Sequence, residues 1–236
     1  MAPLTDPVLR SLAGERVFIH EEERLSFGYT AGNFPSTSLK LLFPGLPLLF
    51  LRQVHSDRIA TDREWHAGIE ADGLLLDRRG VVAVVQTADC LPLFFFNEER
   101  SRGGVLHVGW RGLLQGIEER LAERLGAEFR DFSFFLGPAI EKNCYEVGEE
   151  IAEKFAKKPY AGRVFSRTRP GKHLLDIKSG LRLSLQALGA AESRVGDCGR
   201  CTYCSHGMFP SYRRDGATGR RLFNVLTLRG GRGTSQ

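Results

Sequence analysis

The sequence feature that most constrains this chain is a set of three apolar runs that follow one another closely, Val81–Val85, Leu91–Phe96 and Gly104–Val108. The first is a β-branched run of the kind found in buried strands, and the other two have a similar apolar character. The three runs therefore predict strands that lie in the interior of the protein.

Chemically active side chains stand where these runs stop. Cys90 lies just past the first run, and His107 stands at the end of the third run, which Gly-Trp-Arg-Gly follows at once. A second histidine, His55, stands just past another apolar run at 46–54. Groups at strand ends are held by a rigid scaffold and remain open to solvent. We therefore interpret this stretch as the floor of an active site.

Outside these runs the chain mixes further predicted strands with three predicted helices. The strands are expected at 17–29 (as a pair), 46–54, 74–76, 132–136 and 222–228. Apolar residues that recur every fourth position predict an amphipathic helix over 111–125. The apolar spacing of 147–155 marks a second helix, and Asp176 is a good N-cap for a third. This mixture predicts one α/β or α+β domain over 1–236.

Composition excludes several classes of protein. The chain has no apolar run long enough for a transmembrane helix and no signal-peptide core, so we expect a cytoplasmic protein without a membrane partner. The net charge of +5 suits anionic ligands, but scattered Lys and Arg residues favour a solvated surface over a nucleic-acid groove. Five cysteines argue against a disulfide framework. The Gly- and Arg-rich tail, 229–236, is predicted to be disordered.

His55, Cys90 and His107 come from three different strand ends. Structural zinc sites usually use close pairs such as C-x2-C, whereas scattered ligands are typical of a catalytic site with a position left for water or substrate. One thiolate and two imidazoles suit zinc, and copper would accept them. On spacing alone, a buried structural cysteine with two hydrogen-bonded histidines is the simpler interpretation. The same residues are also the minimum for a thiolate nucleophile with a base.

Residues beside these ligands carry further expectations. Asp89 either orients a histidine through its second ring nitrogen or caps a loop. Arg111 opens the predicted helix, where a guanidinium beside unpaired N–H groups makes a site for phosphate or carboxylate. Trp110 is expected to plug the core rather than stack on a ligand. The Arg-rich turn at 212–220 is either a carrier of substrate-binding groups or a solvated hairpin.

A second group of thiols stands near the C-terminus. Cys198, Cys201 and Cys204 are spaced three residues apart and are followed by His206, which resembles part of an iron–sulfur run. Such a cluster would need a fourth ligand, for which Cys144 is the candidate. Reduced, partly buried thiols are the favoured interpretation.

Taken together, the motifs resemble the YfiH-like family, also described as laccase-domain or multicopper polyphenol oxidoreductases. The matching segments are, in chain order, Gln53–His55, Ala71–Gly73, Gln86–Pro92, His107–Gly112, Gly137–Ile140, Cys144–Gly148, Cys201–Thr202, Ser211–Gly216 and Gly219–Arg220. They run in the family's order over about 50–225, and the ordered set is specific. The N-terminal part is shorter than in the family, with only 29–33 and the following loop standing in for its usual Gly-Gly-Val-Ser and Asn-rich segments.

The resemblance implies a fold and an activity. It implies a compact domain of mixed β-sheets layered between α-helices, in which His55, Cys90 and His107 hold a single catalytic zinc. It implies a purine nucleoside enzyme that carries out phosphorolysis of adenosine, inosine, guanosine and methylthioadenosine, and deamination of adenosine. The expected partners are therefore purine nucleosides and phosphate, and no protein partner is inferred.

These expectations assign roles to named residues. Cys90, Asp89 and Arg111 are the predicted catalytic residues, with Arg111 binding phosphate and Asp89 moving protons during deamination. Arg111, Tyr212 and Arg213 are the predicted substrate-binding residues.

Three rival functions follow from the same residues. Copper at the triad could oxidise phenols, although six histidines are too few for a true multicopper centre. A Cys-His hydrolase or amidase acting in peptidoglycan editing would need Cys90 as a free thiolate. A binding module without catalysis would use the metal, if any, for structure.

Overall fold

The three apolar runs form strands at the centre of the molecule. The computed structural model describes residues 7–12, 14–32 and 34–230. The strands are β1 (Val8–Leu12), β2 (Glu15–Glu21), β3 (Leu25–Thr30), β4 (Leu48–Phe50), β5 (Ile59–Thr61), β6 (Gly73–Leu76), β7 (Val82–Thr87), β8 (Leu91–Phe96), β9 (Gly103–Val108), β10 (Ser133–Leu136), β11 (Glu146–Gly148), β12 (Phe165–Arg169), β13 (Lys172–Leu175), β14 (Val195–Asp197) and β15 (Leu222–Leu228). The helices are α1 (Leu39–Leu42), α2 (Trp110–Gln115), α3 (Ile117–Leu125), α4 (Glu149–Phe155), α5 (Ala161–Val164), α6 (Ile177–Ala187) and α7 (Tyr212–Asp215).

Within the described residues, the strands form two six-stranded sheets and a small three-stranded one. The first sheet has the order β1-β2-β3-β15-β7-β4, the second β14-β10-β8-β9-β6-β5, and the third β11-β13-β12. Most neighbours are antiparallel, while the pairs β4–β7, β5–β6 and β10–β14 are parallel. The predicted mixed α/β architecture is therefore confirmed.

The two large sheets pack face to face, and each is covered on its outer side. Along β8, Leu93 and Phe95 join the core shared with helices α2, α3 and α6, whereas Phe94 and Phe96 join the core between the sheets. The first sheet uses its outer face to bury a segment that includes Phe43. Both faces of the central strands are therefore apolar, as their uninterrupted hydrophobic sequence predicts. Burial of each Leu or Phe side chain in these cores contributes about 1.5–3 kcal/mol to the free energy of unfolding.

The prediction of one continuous helix over 111–125 is wrong, because the structure has two helices there, α2 and α3. The helical segment is broken at Gly116, which adopts a φ of 82° and donates its N–H to the carbonyl oxygen of Leu113 at 3.3 Å. A left-handed glycine of this kind ends one helix, and α3 starts directly after it. The predicted apolar positions, such as Ile117 and Leu121, are nevertheless fully buried against the second sheet.

Two further predicted boundaries change, while the third helix is confirmed. The strand predicted at 46–54 is limited to β4, because the following backbone N–H groups of Val54, His55 and Ser56 bond to a side chain instead of a neighbouring strand. The second helix begins only at Glu149, since 146–148 form a strand against β13. Helix α6 begins after Asp176, whose side chain accepts the N–H of Ser179 as predicted for an N-cap.

No described helix combines the length and the hydropathy needed to cross a bilayer. The predicted disordered tail at 229–236 lies outside the described residues from 231 onward, as does residue 33 of the short N-terminal segment.

Candidate metal centre

The three predicted metal ligands meet where the chain passes between the two large sheets. Cys90 lies in the link from β7 to β8, so it stands at the point where the chain passes from the first sheet to the second. His107 is the penultimate residue of β9, opposite Pro92 of β8. His55 lies in the loop between β4 and β5, which are edge strands of the two sheets. Each ligand is thus positioned by a different strand end.

The triad, defined as His55, Cys90 and His107, is close enough to hold one ion. One ligand atom from each residue lies within 4.8 Å of the others. Sγ of Cys90 is 3.8 Å from Nε2 of His55, and the two imidazole rings are 4.7 Å apart at 70°. A Cβ on Gly109 would lie only 3.1 Å from Sγ of Cys90 and 3.0 Å from the His55 ring. The glycine of the His-Val-Gly-Trp motif therefore leaves room for the triad.

Asp72 supports two of the three ligands from behind. Its Oδ1 accepts a hydrogen bond from Nδ1 of His107 at 2.7 Å, which leaves Nε2 of that ring for a metal. The same carboxylate accepts the backbone N–H groups of Val54, His55 and Ser56 at 2.6–3.2 Å and the hydroxyl of Ser56 at 2.8 Å. Although burial alone would raise the pKa of Asp72, the hydrogen bonds from His107 and Ser56 lower it. A buried carboxylate therefore holds both histidines in place.

The electrostatics of the triad favour the ligand form of Cys90. Burial opposes ionisation, but the charge and hydrogen bonds of His107 and His55 lower the pKa of Cys90 to about 6. Burial likewise disfavours a charged His107, yet the Cys90 thiolate and Asp72 raise the pKa of His107 to about 9. The thiolate is therefore present at neutral pH, which is the form that binds metals and attacks electrophiles.

Two residues of this region have unusual backbone conformations. Among the described non-glycine residues, a positive φ occurs at His55 (60°), Asp89 (87°) and Arg100 (53°). The left-handed region is unfavourable for side chains with a Cβ and persists where the surroundings hold it. One of these residues is a ligand of the triad, and another directly precedes Cys90. Backbone strain therefore concentrates at the predicted site.

The carboxylate of Asp89 accepts its hydrogen bonds from residues of other loops rather than from the histidines. Its Oδ1 accepts the hydroxyl of Thr202 at 2.6 Å, and its Oδ2 accepts the hydroxyl of Ser211 at 3.0 Å and the N–H of Arg213 at 2.7 Å. The carboxylate that orients His107 is Asp72, so the histidine-orienting alternative for Asp89 is wrong. The observed contacts instead tie the Cys90 link to two distant loops. Its catalytic role stays a prediction.

A cleft of about 630 Å³ opens above the triad. Its lining includes every residue predicted for the site; these are His55, Asp89, Cys90, His107, Arg111, Tyr212 and Arg213. The Arg-rich turn forms the one-turn helix α7, capped by the Ser211 side chain, and Tyr212 is 58% exposed. The structure thus brings the predicted metal-binding and substrate-binding residues to one cavity.

Arg111 lies on the rim of this cleft beside Trp110. Helix α2 has only six residues, so its dipole is weak. The anion site predicted at the start of this helix therefore depends on the guanidinium of Arg111. The guanidinium carbon of Arg111 lies 4.6 Å from the centre of the Trp110 ring, which Lys154 also approaches at 5.6 Å. Trp110 packs against the helical core, as predicted, and also lines the cleft. Its stacking on a ligand stays a prediction.

Sequence reasoning assigned no role to several residues that shape the site. Asp72 lies in the Ala-Asp-Gly motif, and its position directly before a strand was the available signal. Tyr145 and Arg221 line the cleft, and the guanidinium of Arg213 lies 5.5 Å from the Tyr145 ring. Burial is the main reason why the pKa of Tyr145 is raised. None of these contacts follows from local sequence periodicity.

The second predicted cluster is only partly assembled. Cys144, Cys201 and Cys204 bring their sulfur atoms within 4.8 Å of one another, and we call them the thiol cluster. Cys198 is excluded, because it lies buried in the core between the sheets. His206 is not part of the group either. Among the described residues, the triad and the thiol cluster are the groups of three or more metal-ligating side chains.

Comparison with known proteins shows which family the chain belongs to. The chain matches the family described as multi-copper polyphenol oxidoreductase laccase over residues 33–228. The chain belongs to this family. It is 34% identical over 202 residues to purine nucleoside phosphorylase YfiH of Shigella flexneri, a match that covers 85% of this chain and 78% of that protein. The family resemblance inferred from the ordered motifs is therefore confirmed.

Two further relatives extend this comparison. Adenosine deaminase RL5 of an unknown prokaryotic organism is 32% identical over 194 residues, covering 76% of this chain and 74% of that protein. The crystal structure of Neisseria meningitidis protein NMB0706, of the DUF152 family, superposes with a TM-score of 0.82 at 27% identity. That superposition covers 91% of this chain and 99% of the other, so the two proteins share the fold.

The triad fits a bound transition metal by its own chemistry. It offers one thiolate and two imidazoles, and the second nitrogen of His107 is already fixed by Asp72. The ligands face an open cleft rather than a closed core, which leaves space for a substrate or water beside an ion. The donor set suits zinc and copper alike.

Proposed function

We propose that this chain is a zinc-dependent enzyme of purine nucleosides, which carries out phosphorolysis of adenosine, inosine, guanosine and methylthioadenosine and deamination of adenosine. The observation that carries the proposal is the His55–Cys90–His107 triad, with its ligand atoms within 4.8 Å of one another at the floor of a cleft lined by arginines.

The names of the relatives support an enzyme that processes nucleosides. One relative is named a purine nucleoside phosphorylase and another an adenosine deaminase, at 34% and 32% identity. Both reactions act on the same class of substrate, so one cleft can serve both. The identity level supports the general role, and the particular substrates and the metal are our proposal.

Phosphorolysis needs an anionic phosphate near the anomeric carbon of the sugar. Arg111, Arg213 and Arg221 line the cleft and supply positive charge to it. A guanidinium binds phosphate oxygens through paired N–H donors, which also orients the anion. Nη1 of Arg213 already donates to the carbonyl oxygen of Glu146 at 2.7 Å, so this guanidinium is partly occupied. Arg111 therefore carries the main part of phosphate binding in this proposal.

His55, Cys90 and His107 would hold the zinc. When bound, the ion supplies a Lewis acid that polarises an oxygen or nitrogen of the substrate. Asp72 keeps the His107 ring in the orientation that leaves Nε2 free, and it fixes the His55 backbone through the N–H of that residue. The Tyr145 and Trp110 rings line the cleft and provide apolar surface for a purine or sugar.

The deamination branch requires a group that moves protons, for which Asp89 is our candidate. Its oxygens accept hydrogen bonds from Thr202, Ser211 and Arg213, so proton transfer requires at least one of these bonds to break. Asp89→Asn is expected to reduce adenosine deamination and to leave a folded protein. An unchanged deamination rate in that variant would assign Asp89 a positioning role only.

The first experiment combines metal analysis with an adenosine assay. Protein purified without added metal is compared with Cys90→Ala, and the products of adenosine are measured with and without phosphate. We expect the wild-type protein to contain zinc, and we expect Cys90→Ala to lose the zinc ion that is bound at the triad. We also expect the wild-type protein to release adenine from adenosine only when phosphate is present. Inosine and ammonia formed without phosphate would identify the deaminase branch.

Arg111→Ala tests the phosphate site, and Arg163→Ala is the matched control because Arg163 is an exposed helical arginine outside the cleft. We expect the KM for phosphate to rise about tenfold in Arg111→Ala, which corresponds to about 1.4 kcal/mol, and to remain unchanged in Arg163→Ala. Equal kinetics in both variants would contradict the proposed role of Arg111.

Two specific observations support the rival functions, and the same experiment separates them. The family description names copper oxidases, so copper in the purified protein with oxygen-dependent oxidation of phenols would favour that activity. The lowered pKa of Cys90 fits a thiolate nucleophile, so metal-free protein with a reactive Cys90 and no nucleoside turnover would favour a hydrolase.

A further inference from the structure

The thiol cluster is assembled from two separate parts of the chain. Cys201 and Cys204 form a C-x2-C pair after the last strand of the second sheet, while Cys144 comes from the loop before β11. Sγ of Cys144 lies 3.2 Å from Sγ of Cys204, although the two residues are 60 positions apart. All three sulfur atoms lie within 4.8 Å of one another. Three thiols are thus gathered at one point outside the cleft.

The segment around Cys201 and Cys204 forms a tight turn. The N–H of Ser205 donates to the carbonyl oxygen of Cys201 at 3.1 Å, and the N–H of His206 donates to the carbonyl oxygen of Cys204 at 2.9 Å. The C-x2-C spacing is that of a short metal-binding knuckle, in which one turn fixes two ligands. Cys201 and Cys204 therefore have the spacing and the backbone of such a turn.

The segments that carry these thiols are themselves held in place. The N–H of Thr202 donates to the carbonyl oxygen of Ala139 at 3.0 Å, and Cys201 pairs with Ala139 in an isolated bridge. Nη1 of Arg214 donates to the carbonyl oxygens of Thr202 and Tyr203 at 2.9 and 2.7 Å. The C-x2-C turn is therefore positioned before any ion arrives.

From this geometry we propose that Cys144, Cys201 and Cys204 form a second cation site, which binds a thiophilic ion of the Zn²⁺ type. Each thiol loses its proton on binding, and each sulfur donates one electron pair to the ion. Cys204 is exposed, so solvent completes the coordination of a four-coordinate ion. The site does not depend on the nucleoside activity and contains none of the residues of the triad.

An ion at this position clamps two loops that reach the cleft. Cys144 directly precedes Tyr145, which lines the cleft. Thr202 lies inside the C-x2-C turn and donates its hydroxyl to Asp89, the neighbour of Cys90. The second ion thus stabilises the wall of the first site without touching it. A disulfide between Cys144 and Cys204 is the competing use of the same thiols, but it leaves Cys201 without a role, although its sulfur lies within 4.8 Å of both others.

The test is a zinc titration of the full chain after reduction and removal of metal. We expect wild-type protein to bind two Zn²⁺ per chain and Cys90→Ser to bind one. In the Cys90→Ser background, Zn²⁺ is expected to protect three thiols from a thiol-specific chromogenic reagent. Adding Cys204→Ser or Cys144→Ser is expected to weaken binding of the remaining Zn²⁺ at least 100-fold, with an unchanged circular dichroism spectrum.

Cys198→Ala in the Cys90→Ser background is the matched control, because Cys198 precedes the turn by three residues but lies outside the thiol cluster. It is expected to retain the second Zn²⁺. Three results would overturn the proposal: no Zn²⁺ bound by Cys90→Ser, an equal loss in the Cys198→Ala control, or a Cys144–Cys204 disulfide found by mass with no zinc affinity in the reduced protein.

Discussion

The molecule buries a carboxylate completely in each of two regions, and it gives them opposite surroundings. Asp72 lies behind the triad and accepts hydrogen bonds from His107, from Ser56 and from three consecutive backbone N–H groups. Glu118 lies between helices α3 and α6, where Ser184 donates one hydrogen bond at 2.7 Å and Oε2 has no partner. The two regions therefore share burial and differ in donors.

This difference decides which form of each carboxyl group the fold prefers. Burial tends to raise the pKa of both groups. At Asp72 the hydrogen bonds outweigh burial and the pKa is lowered. At Glu118 burial dominates and raises the pKa to about 7, with Ser184 opposing it. The first region is built to hold a negative charge beside the two histidines of the triad, whereas the second tolerates a carboxyl group that is best kept neutral.

The largest effect is expected from Asp72→Asn. An amide NH₂ at either oxygen position would face the donors of His107 and His55 or those of Ser56, so two donors would oppose each other. We expect a loss of about 3 kcal/mol in the free energy of unfolding and a 10- to 100-fold weaker metal affinity. Urea unfolding and zinc titration measure the two effects. Asp131→Asn, at an exposed aspartate, is the control and should change neither.

Glu118→Gln is expected to act in the opposite direction and to stabilise the protein by about 2 kcal/mol at pH 8. Because the folded pKa of Glu118 is raised, the folded state binds this proton more tightly than the unfolded chain does. Wild-type stability therefore falls as the pH rises from about 4.5 to about 7, and the variant lacks this loss. Urea unfolding at pH 8 and at pH 4 measures the difference.

The advantage of Glu118→Gln should disappear at pH 4, where the wild-type carboxyl group is protonated in both states. Glu153→Gln, at an exposed glutamate of α4, provides the control and should show no gain at either pH. A variant that is less stable than wild type at pH 8 would show that the negative charge of Glu118 has a favourable role.

Ser184→Ala should have a smaller effect, because it removes one hydrogen bond and leaves the carboxyl group in place. Ser184 is the side chain that donates to Glu118, so its loss should raise the pKa of Glu118 further. We expect a loss of about 1 kcal/mol at pH 8. Titration of the Glu118 carboxyl group by NMR checks the pKa, and no upward change would contradict the assigned role of the hydroxyl.

Ser56→Ala is expected to have the smallest effect of the four. The Ser56 hydroxyl is one of several donors to Asp72, and the backbone N–H of the same residue remains at 2.6 Å. We expect a loss of about 0.5 kcal/mol and less than a tenfold change in metal affinity. Thermal unfolding and zinc titration test this directly. An effect as large as that of Asp72→Asn would mean that the hydroxyl, rather than the N–H groups, holds the carboxylate.

The fold was predictable where one property is repeated along the chain. The apolar runs at Val81–Val85 and Leu91–Phe96 correspond to β7 and β8, because a strand buried on both faces has no polar positions. The four-residue spacing after Arg111 correctly identified the buried positions but not the break at Gly116. A break of that kind depends on the backbone conformation of one glycine, which periodicity does not report.

The residues of the triad could be predicted from the sequence, whereas the contacts that hold them in place could not. His55, Cys90 and His107 were grouped because each stands at a strand end, and the resemblance to the YfiH-like family then implied that they are metal ligands. Asp72 was missed as a functional residue because its position before a strand was a weak signal, and its contacts with His55 and His107 arise only in the folded chain. Asp89 was identified, but its contacts with Thr202 and Ser211 depend on loops more than 100 residues away.

The sequence by itself therefore determined which residues are apolar enough to become central strands and which side chains have the chemistry for a metal site. Those properties belong to single residues and their near neighbours. Only the tertiary structure decided that Asp72 holds His107, that Cys144 joins Cys201 and Cys204, and that Glu118 is left with a single side-chain donor. Each of these contacts joins distant parts of the chain, so it exists only after the sheets and helices have packed.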